Sequence, residues 1–192
     1  MNVVKQAKTI YFIASAILLI LGVALLIFKP SMLLLRLLVG STFVLVGASK
    51  IFGYFANDLY KLAFQFDLAL GILWTLVGIV FLLQGSLQLP TLTGTAGIFV
   101  IAESMFKIQT ALDAKKFGMR KWVSILVVAI VVGVTGVLVL LNPCAPGDTR
   151  SVVIFMGLAF ILNGGQNIWT TAYTVRVKAK KKHAEEKYGN DL

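Results

Sequence analysis

The chain has 192 residues, 58% of them hydrophobic and 14% charged, and a formal net charge of +10. Its mean hydropathy is +0.90. A soluble domain of this size has too little interior to hide so much apolar surface, so lipid must be the solvent for most of it.

A membrane helix needs about 20 mainly apolar residues. The first stretch that qualifies is Ile10–Phe28. Lys5 and Lys8 ahead of it resemble the n-region of a signal peptide, but the stretch is long for an h-region and no small-x-small cleavage site follows. It is expected to remain as the first transmembrane helix. Further spans are expected at Met32–Phe52, Phe66–Leu87, Leu92–Leu112, Trp122–Leu141 and Ser151–Tyr173. All are continuously apolar, which fits helices and excludes the alternating strands of a membrane barrel. The predicted fold is an all-α integral membrane protein with six transmembrane helices arranged as three parallel-repeat helical hairpins. Residues 1–9 form a cytoplasmic N-terminus, residues 10–173 the membrane domain and residues 174–192 a basic cytoplasmic tail. The repeat units are 10–54, 66–112 and 122–173.

Charge sets the orientation. Lys5, Lys8, Lys50, Lys61, Lys107, Lys115, Lys116, Arg120, Lys121 and the tail fall toward one side, against Lys29, Arg36 and Arg150 on the other. The positive-inside rule places the first group, and both termini, in the cytoplasm of a plasma-membrane protein. The tail from Arg176 to His183 has the composition to meet anionic lipid headgroups, each basic residue contributing about 1 kcal/mol near such a surface. It serves equally as a solvated topology determinant. No nucleic-acid fold accompanies it. Arg36, about one turn into the second span, is expected to snorkel outward as an interfacial anchor.

Glycine spacing reveals the repeat. The first helix of each pair carries a small residue and, seven positions on, a glycine: Ser15 and Gly22, Gly71 and Gly78, Ala129 and Gly136. A proline follows at Pro30, Pro90 and Pro143. The second helix carries Gly40 and Gly47, Gly97 and Ser104, Gly157 and Gly164. Residues seven apart share a helix face, and lipid tails are as apolar as leucine, so membrane helices associate where small residues let backbones approach. Gly22, Gly40, Gly47, Gly78, Gly97, Gly136, Gly157 and Gly164 are therefore expected helix-packing positions. The seam they form suits either the hairpin partner or the next hairpin. A two-helix unit enters each time from the same side, so the repeats are parallel and a six-helix bundle of pseudo-threefold character is expected.

Each second helix also repeats a polar face at positions n, n+3, n+4 and n+7. These are Val46, Ser49, Lys50 and Gly53, then Glu103, Phe106, Lys107 and Thr110, then Asn163, Gln166, Asn167 and Thr170. Glu103 lies about nine residues from the expected helix end, roughly 13 Å deep. An ionisable group at that depth is costly unless paired, and Lys107 is one turn away. Glu103, Lys107, Lys50, Asn163 and Asn167 form the candidate intramembrane polar site, a proton- or cation-responsive patch. The alternative reading is interhelical polar glue with lysines that snorkel to the interface. Asp67 opens the third helix, where a carboxylate complements the helix dipole. Trp74 is expected in packing, Trp122 and Trp169 in the aromatic belt.

Nothing signals an enzyme. The single histidine lies in the tail, and there is no metal-ligand cluster, nucleophile–base pair, phosphate loop or cofactor motif. The single cysteine, Cys144, cannot form an intrachain disulfide and reads as a turn residue or a cross-link between two copies. Self-association into a homo-oligomer is compatible with all of this.

Two stretches carry a resemblance. Gly22-Val-Ala-Leu-Leu-Ile-Phe-Lys-Pro30 followed by Gly40-x6-Gly47, and Gly136-Val-Leu-Val-Leu-Leu-Asn-Pro143 followed by Gly157-x6-Gly164, resemble the HdeD family of bacterial acid-resistance membrane proteins. These are built from a short repeated domain of unknown function. The likeness covers residues 10–173; the second unit departs from it at Gln84–Pro90. It implies a six-helix inner-membrane protein tied to acid stress and supplies no catalytic residues. Three functions are thus in view. The first is a non-enzymatic acid- or membrane-stress protein. The second is a small transporter or channel passing protons or a small solute through the patch around Glu103. The third is a scaffold presenting a basic cytoplasmic face.

Overall fold

The structure, a computed structural model, describes residues 3–28, 30–55, 67–118, 121–141 and 149–188, with side chains at 3–5, 149 and 173–188 left aside. Lys29, Lys61, Arg120, Pro143, Cys144 and the side chains of the tail lie outside the described set. Among the described residues all regular structure is helical: α1 (Val3–Ile27), α2 (Met32–Phe55), α3 (Asp67–Leu83), α4 (Leu89–Lys116), α5 (Trp122–Leu141) and α6 (Thr149–Tyr188). Five of these are long and apolar enough to cross a bilayer. Helix α3 has 17 residues, or about 25 Å at 1.5 Å per residue, the short end of the spanning range. We call the end with the start of α1 and α3 the basic end, and the end with Pro30 and Pro90 the turn end.

Helix boundaries differ from expectation where local chemistry overrides hydropathy. Helix α3 stops at Leu83, four residues early, because Gly85 and Ser86 turn the chain. Helix α4 starts at Leu89, before Leu92, since Pro90 fits the first helical turn, where its missing N–H is no loss. It runs on to Lys116 and ends at Gly118, whose φ of 70° is the left-handed conformation glycine adopts freely. Helix α6 continues past Tyr173 to Tyr188. That segment lacks glycine and proline until Gly189 and is rich in Lys, Ala, Arg and Glu, all strong helix formers.

The glycine seams join neighbouring hairpins. Helices pack most extensively as α2 on α3, α4 on α5 and α6 on α1, ahead of the pairs within each hairpin. A Cβ on Gly78 would meet the Gly40 carbonyl oxygen at 2.8 Å, and one on Gly71 the Gly47 carbonyl oxygen at 2.8 Å. The same register recurs where Gly97 faces Gly136, a Cβ on either meeting the other's carbonyl oxygen at 3.0–3.1 Å. It recurs again where Gly22 faces Gly157 and Gly164 faces Ser15. All eight expected packing glycines sit in these contacts. The chain thus closes on itself, α6 meeting α1 as α2 meets α3. Arg150 of α6 strengthens the closure by donating to the carbonyls of Leu26 (2.9 Å) and Phe28 (3.1 Å) at the end of α1.

Repeat register also orders the core. Leu18, Trp74 and Val132 are equivalent positions and all are fully buried, as are Val39, Ala96 and Met156. Phe43 is the hub of an aromatic cluster, its ring 4.3 Å from Trp74 and 5.7 Å from Phe81 and Phe99, with Phe160 at 6.2 Å. This layer fills the bundle between the turn end and the level of Lys50. Arg36 departs from the snorkelling expectation: it is only 8% exposed, with Nη1 lacking a partner among the described residues. Trp122 and Trp169 each carry a lysine over the ring, Lys115 at 4.7 Å and Lys121 at 5.1 Å.

Substitution at a seam should differ sharply from substitution away from one. A Cβ on Gly22 would sit 2.6 Å from the Gly157 carbonyl oxygen, whereas Gly165 has nothing within 4 Å. Gly22→Ala is expected to destabilise the bundle by about 1–3 kcal/mol through overpacking, and Gly165→Ala to be neutral or to stabilise it by up to about 1 kcal/mol. Thermal unfolding of the two variants in detergent checks the contrast.

Candidate functional site: a buried charge cluster

Helix α2 delivers Lys50 to the bundle interior three residues after Gly47, where a Cβ would stand 2.6 Å from the Gly71 carbonyl oxygen of α3. The lysine side chain is 1% exposed. An ammonium has three N–H donors, and Lys50 uses all three. It donates to Glu103 Oε1 of α4 at 2.8 Å, to Tyr11 Oη of α1 at 3.0 Å and to Asp67 Oδ1 of α3 at 3.3 Å. Glu103, equally buried, accepts further from Asn163 Nδ2 (2.8 Å, on Oε2) and Asn167 Nδ2 (3.0 Å, on Oε1), both on α6. One connected network therefore ties α1, α2, α3, α4 and α6.

Lys107 stands one turn beyond Glu103 and is 6% exposed. Its ammonium lies 5.9 Å from the Tyr11 ring centroid, which also faces Lys50 at 5.3 Å. It makes no hydrogen bond or ion pair among the described residues. The cluster then holds two formal cations, Lys50 and Lys107, and two formal anions, Asp67 and Glu103, so it is balanced as a whole. Its satisfaction is uneven. Asp67 Oδ2, Asn163 Oδ1, Asn167 Oδ1 and both ends of the Gln166 amide are buried with no partner among the described residues.

The five residues expected to form the polar site are thus brought together, and direct contacts join Lys50, Glu103, Asn163 and Asn167. The lysines do not snorkel; both are held inside. Sequence reasoning missed Tyr11 and gave Asp67 only a helix-dipole role. The repeat contained the signal. Tyr11, Asp67 and Ile125 each fall four residues before the small residue of their first helix, so they share one level and one inward face. All three are buried.

Chemically the cluster can hold, share or exchange protons. Among the described residues no group of His, Cys, Asp and Glu could hold a metal ion. Separating buried partners leaves a charge without compensation in low dielectric, at a cost of about 3–5 kcal/mol. Lys50→Met and Glu103→Gln are each expected to destabilise by that amount. The double variant removes one charge of each sign, restores formal balance with Asp67 and Lys107, and should cost less than the sum. Unfolding of the four proteins in one detergent measures the coupling, and strict additivity would show that the pair does not act as one.

A family defined by a short repeat of unknown function, DUF308, matches the chain twice, over residues 13–83 and 70–141. The first match spans α1 to α3 and the second α3 to α5, which are the stretches containing the first two inter-hairpin seams. No curated protein and no solved structure matches the chain. The two matches together cover well over half of its length, and the chain belongs to the DUF308 family.

Proposed function

We propose that this chain is a non-enzymatic multi-pass protein of the plasma membrane that serves acid or membrane stress resistance, with both termini in the cytoplasm and the buried charge cluster as its proton-responsive part. The observation that carries this is the saturated Lys50, which holds Asp67 and Glu103 at once where lipid surrounds the bundle. A proton delivered to either carboxylate turns a balanced cluster into one with excess positive charge. Low dielectric magnifies that imbalance. The helices tied through that carboxylate, α3 or α4 with α6, then lose their ion-pair tie to α2. Acid would act on the junction of the three repeats.

The HdeD resemblance of the Gly22–Pro30 and Gly136–Pro143 stretches supports the stress role, and the charge asymmetry of the loops supports the orientation. The helical extension of α6 to Tyr188 lies at the basic end and has the composition to favour anionic lipid headgroups. Conduction is disfavoured by the apolar layer of Phe43, Trp74, Phe99 and Phe160, which lies between the cluster and the turn end.

Cells relying on the double variant Lys50→Met/Glu103→Gln, which keeps formal balance but removes the junction of the two carboxylates, and expressed to the membrane level of the wild type, should survive an acid challenge no better than cells without the protein. Survival equal to wild type would overturn the role of the cluster. Proton flux into liposomes holding the purified protein should stay at the level of empty liposomes under an imposed pH gradient. Flux that is present in wild type and lost in Glu103→Gln would establish the transporter reading instead.

A further inference from the structure

The three hairpins are equivalent in sequence register but unequal in packing. Helix α1 packs closely on α2, and α5 on α6, whereas the backbones of α3 and α4 stand farther apart, bridged by the ring contact of Trp74 with Phe99. One position that differs lies beside Lys50. Where the first hairpin has Tyr11, whose ring and hydroxyl fill the space beside Lys50, the second has the much shorter Asp67. A pocket occupies the resulting gap, lined by Asp67 and Leu70 of α3, by Glu103, Lys107 and Thr110 of α4, and by Lys50. It has room for about one water molecule.

Its polar groups are complementary to one kind of occupant. Asp67 Oδ2 is buried and needs a donor. Lys107, equivalent to Lys50 by register, lacks the acceptor that Tyr11 gives Lys50 and needs one. An anion would suit the lysine and be repelled by two carboxylates; a cation would meet two ammonium groups. A small neutral molecule that both donates and accepts satisfies each, and the space available is that of water.

We propose that the cleft between α3 and α4 is a hydration site through which water, and with it protons, reaches the cluster from the basic end only. Asp67 is the first residue of α3, so the site lies at that helix's basic end. Toward the turn end the way is filled by Trp74, Phe43 and Phe99, buried and in mutual ring contact. Among the described residues, every charged or titratable group facing the site is part of the cluster: Tyr11 from α1, Lys50 from α2, Asp67 from α3, Glu103 and Lys107 from α4. Helix α6 brings the uncharged Asn163 and Asn167, and α5 the apolar Ile125. This deepens the acid-stress reading, on which it rests for its purpose, by naming the side from which protons arrive.

Single cysteines placed in a Cys144→Ser background test it. Leu70→Cys and Thr110→Cys line the cleft, and Val100→Cys sits in the apolar layer. Oriented vesicles are exposed on one side at a time to silver ion, a thiol-reactive cation small enough for a one-water space and unable to cross lipid, and silver labelling is read as thiol no longer available to maleimide after unfolding. Both cleft cysteines should label from the basic side alone, and Val100→Cys from neither side. Unreactive cleft cysteines, labelling from the turn side, or equal labelling of Val100→Cys would overturn the proposal. Should the variants fail to assemble, radiolytic hydroxyl footprinting of the unmutated protein decides. Oxidation of Leu70 but not of Leu18 and Leu92, all buried, supports a bound water; equal protection of the three refutes it. Labelling reports water whatever the phenotype. A hydrated cleft without acid sensitivity upholds this inference and sinks the stress role, and a dry cleft with acid sensitivity does the reverse.

Discussion

Close approach of backbones at paired small residues is the constraint on which everything else in this bundle depends. Helices in lipid have no hydrophobic reason to touch, because the tails they leave are as apolar as the side chains they meet. Dispersion and short-range contact must hold them, and both fall away within an ångström of lost fit. Gly40 with Gly78, Gly97 with Gly136 and Gly22 with Gly157 each remove a Cβ that would otherwise stand at carbonyl distance from the facing helix. The resulting seams fix which helices are neighbours and how deep the next inward residue is carried. Gly47, three residues before the buried Lys50, lets α2 lie against α3.

Threefold register then makes asymmetry informative. The apolar level of Leu18, Trp74 and Val132 varies only in size, as packing requires. The polar level varies in chemistry. Its equivalent triplets are Val46, Glu103 and Asn163; Lys50, Lys107 and Asn167; and Tyr11, Asp67 and Ile125. A symmetric set would place three like charges on one axis, and mutual repulsion forbids that. Distributing two lysines, two carboxylates, two carboxamides, a phenol and two aliphatic residues over nine equivalent positions gives a balanced cluster in which each hairpin plays a different part. A buried ion pair is poor evidence of stability, since apolar residues of similar volume commonly serve as well or better. Here several acceptors also lack a partner among the described residues, so stability alone does not account for the cluster.

Much of this was legible in the sequence, and the limits have physical causes. Spacing located Lys50, Glu103, Lys107, Asn163 and Asn167 on one repeated face, because helical register is fixed by 3.6 residues per turn whatever the neighbours are. The same spacing placed the eight seam glycines on helix faces but left open which helix they meet, since a face has direction only relative to a bundle. Helix ends were read from hydropathy. Gly85 and Pro90 displaced them, because breakers act through backbone geometry that hydropathy does not record. Asp67 was read through its own helix end, a local and sufficient account, and so its partner on α2 went unsought. Tyr11 was passed over because a tyrosine near a membrane boundary normally needs no explanation. Both stand four residues before the small residue of their first helix, and that shared spacing is the signal the sequence carries for them.

The one hairpin that does not close bears on how a static cluster could respond at all. A fully packed ion-pair network in lipid is isolated from the protons it would sense, and a fully open one would leak them. Tyr11 seals the first hairpin, and Ile125 stands at the equivalent place in the third. Asp67 in the second is both short enough to leave a gap and charged enough to keep that gap polar, while the Phe43 cluster closes the opposite direction. In the proposed arrangement, a single exchange of a large side chain for a small acidic one, at a position the repeat makes equivalent, separates access from conduction.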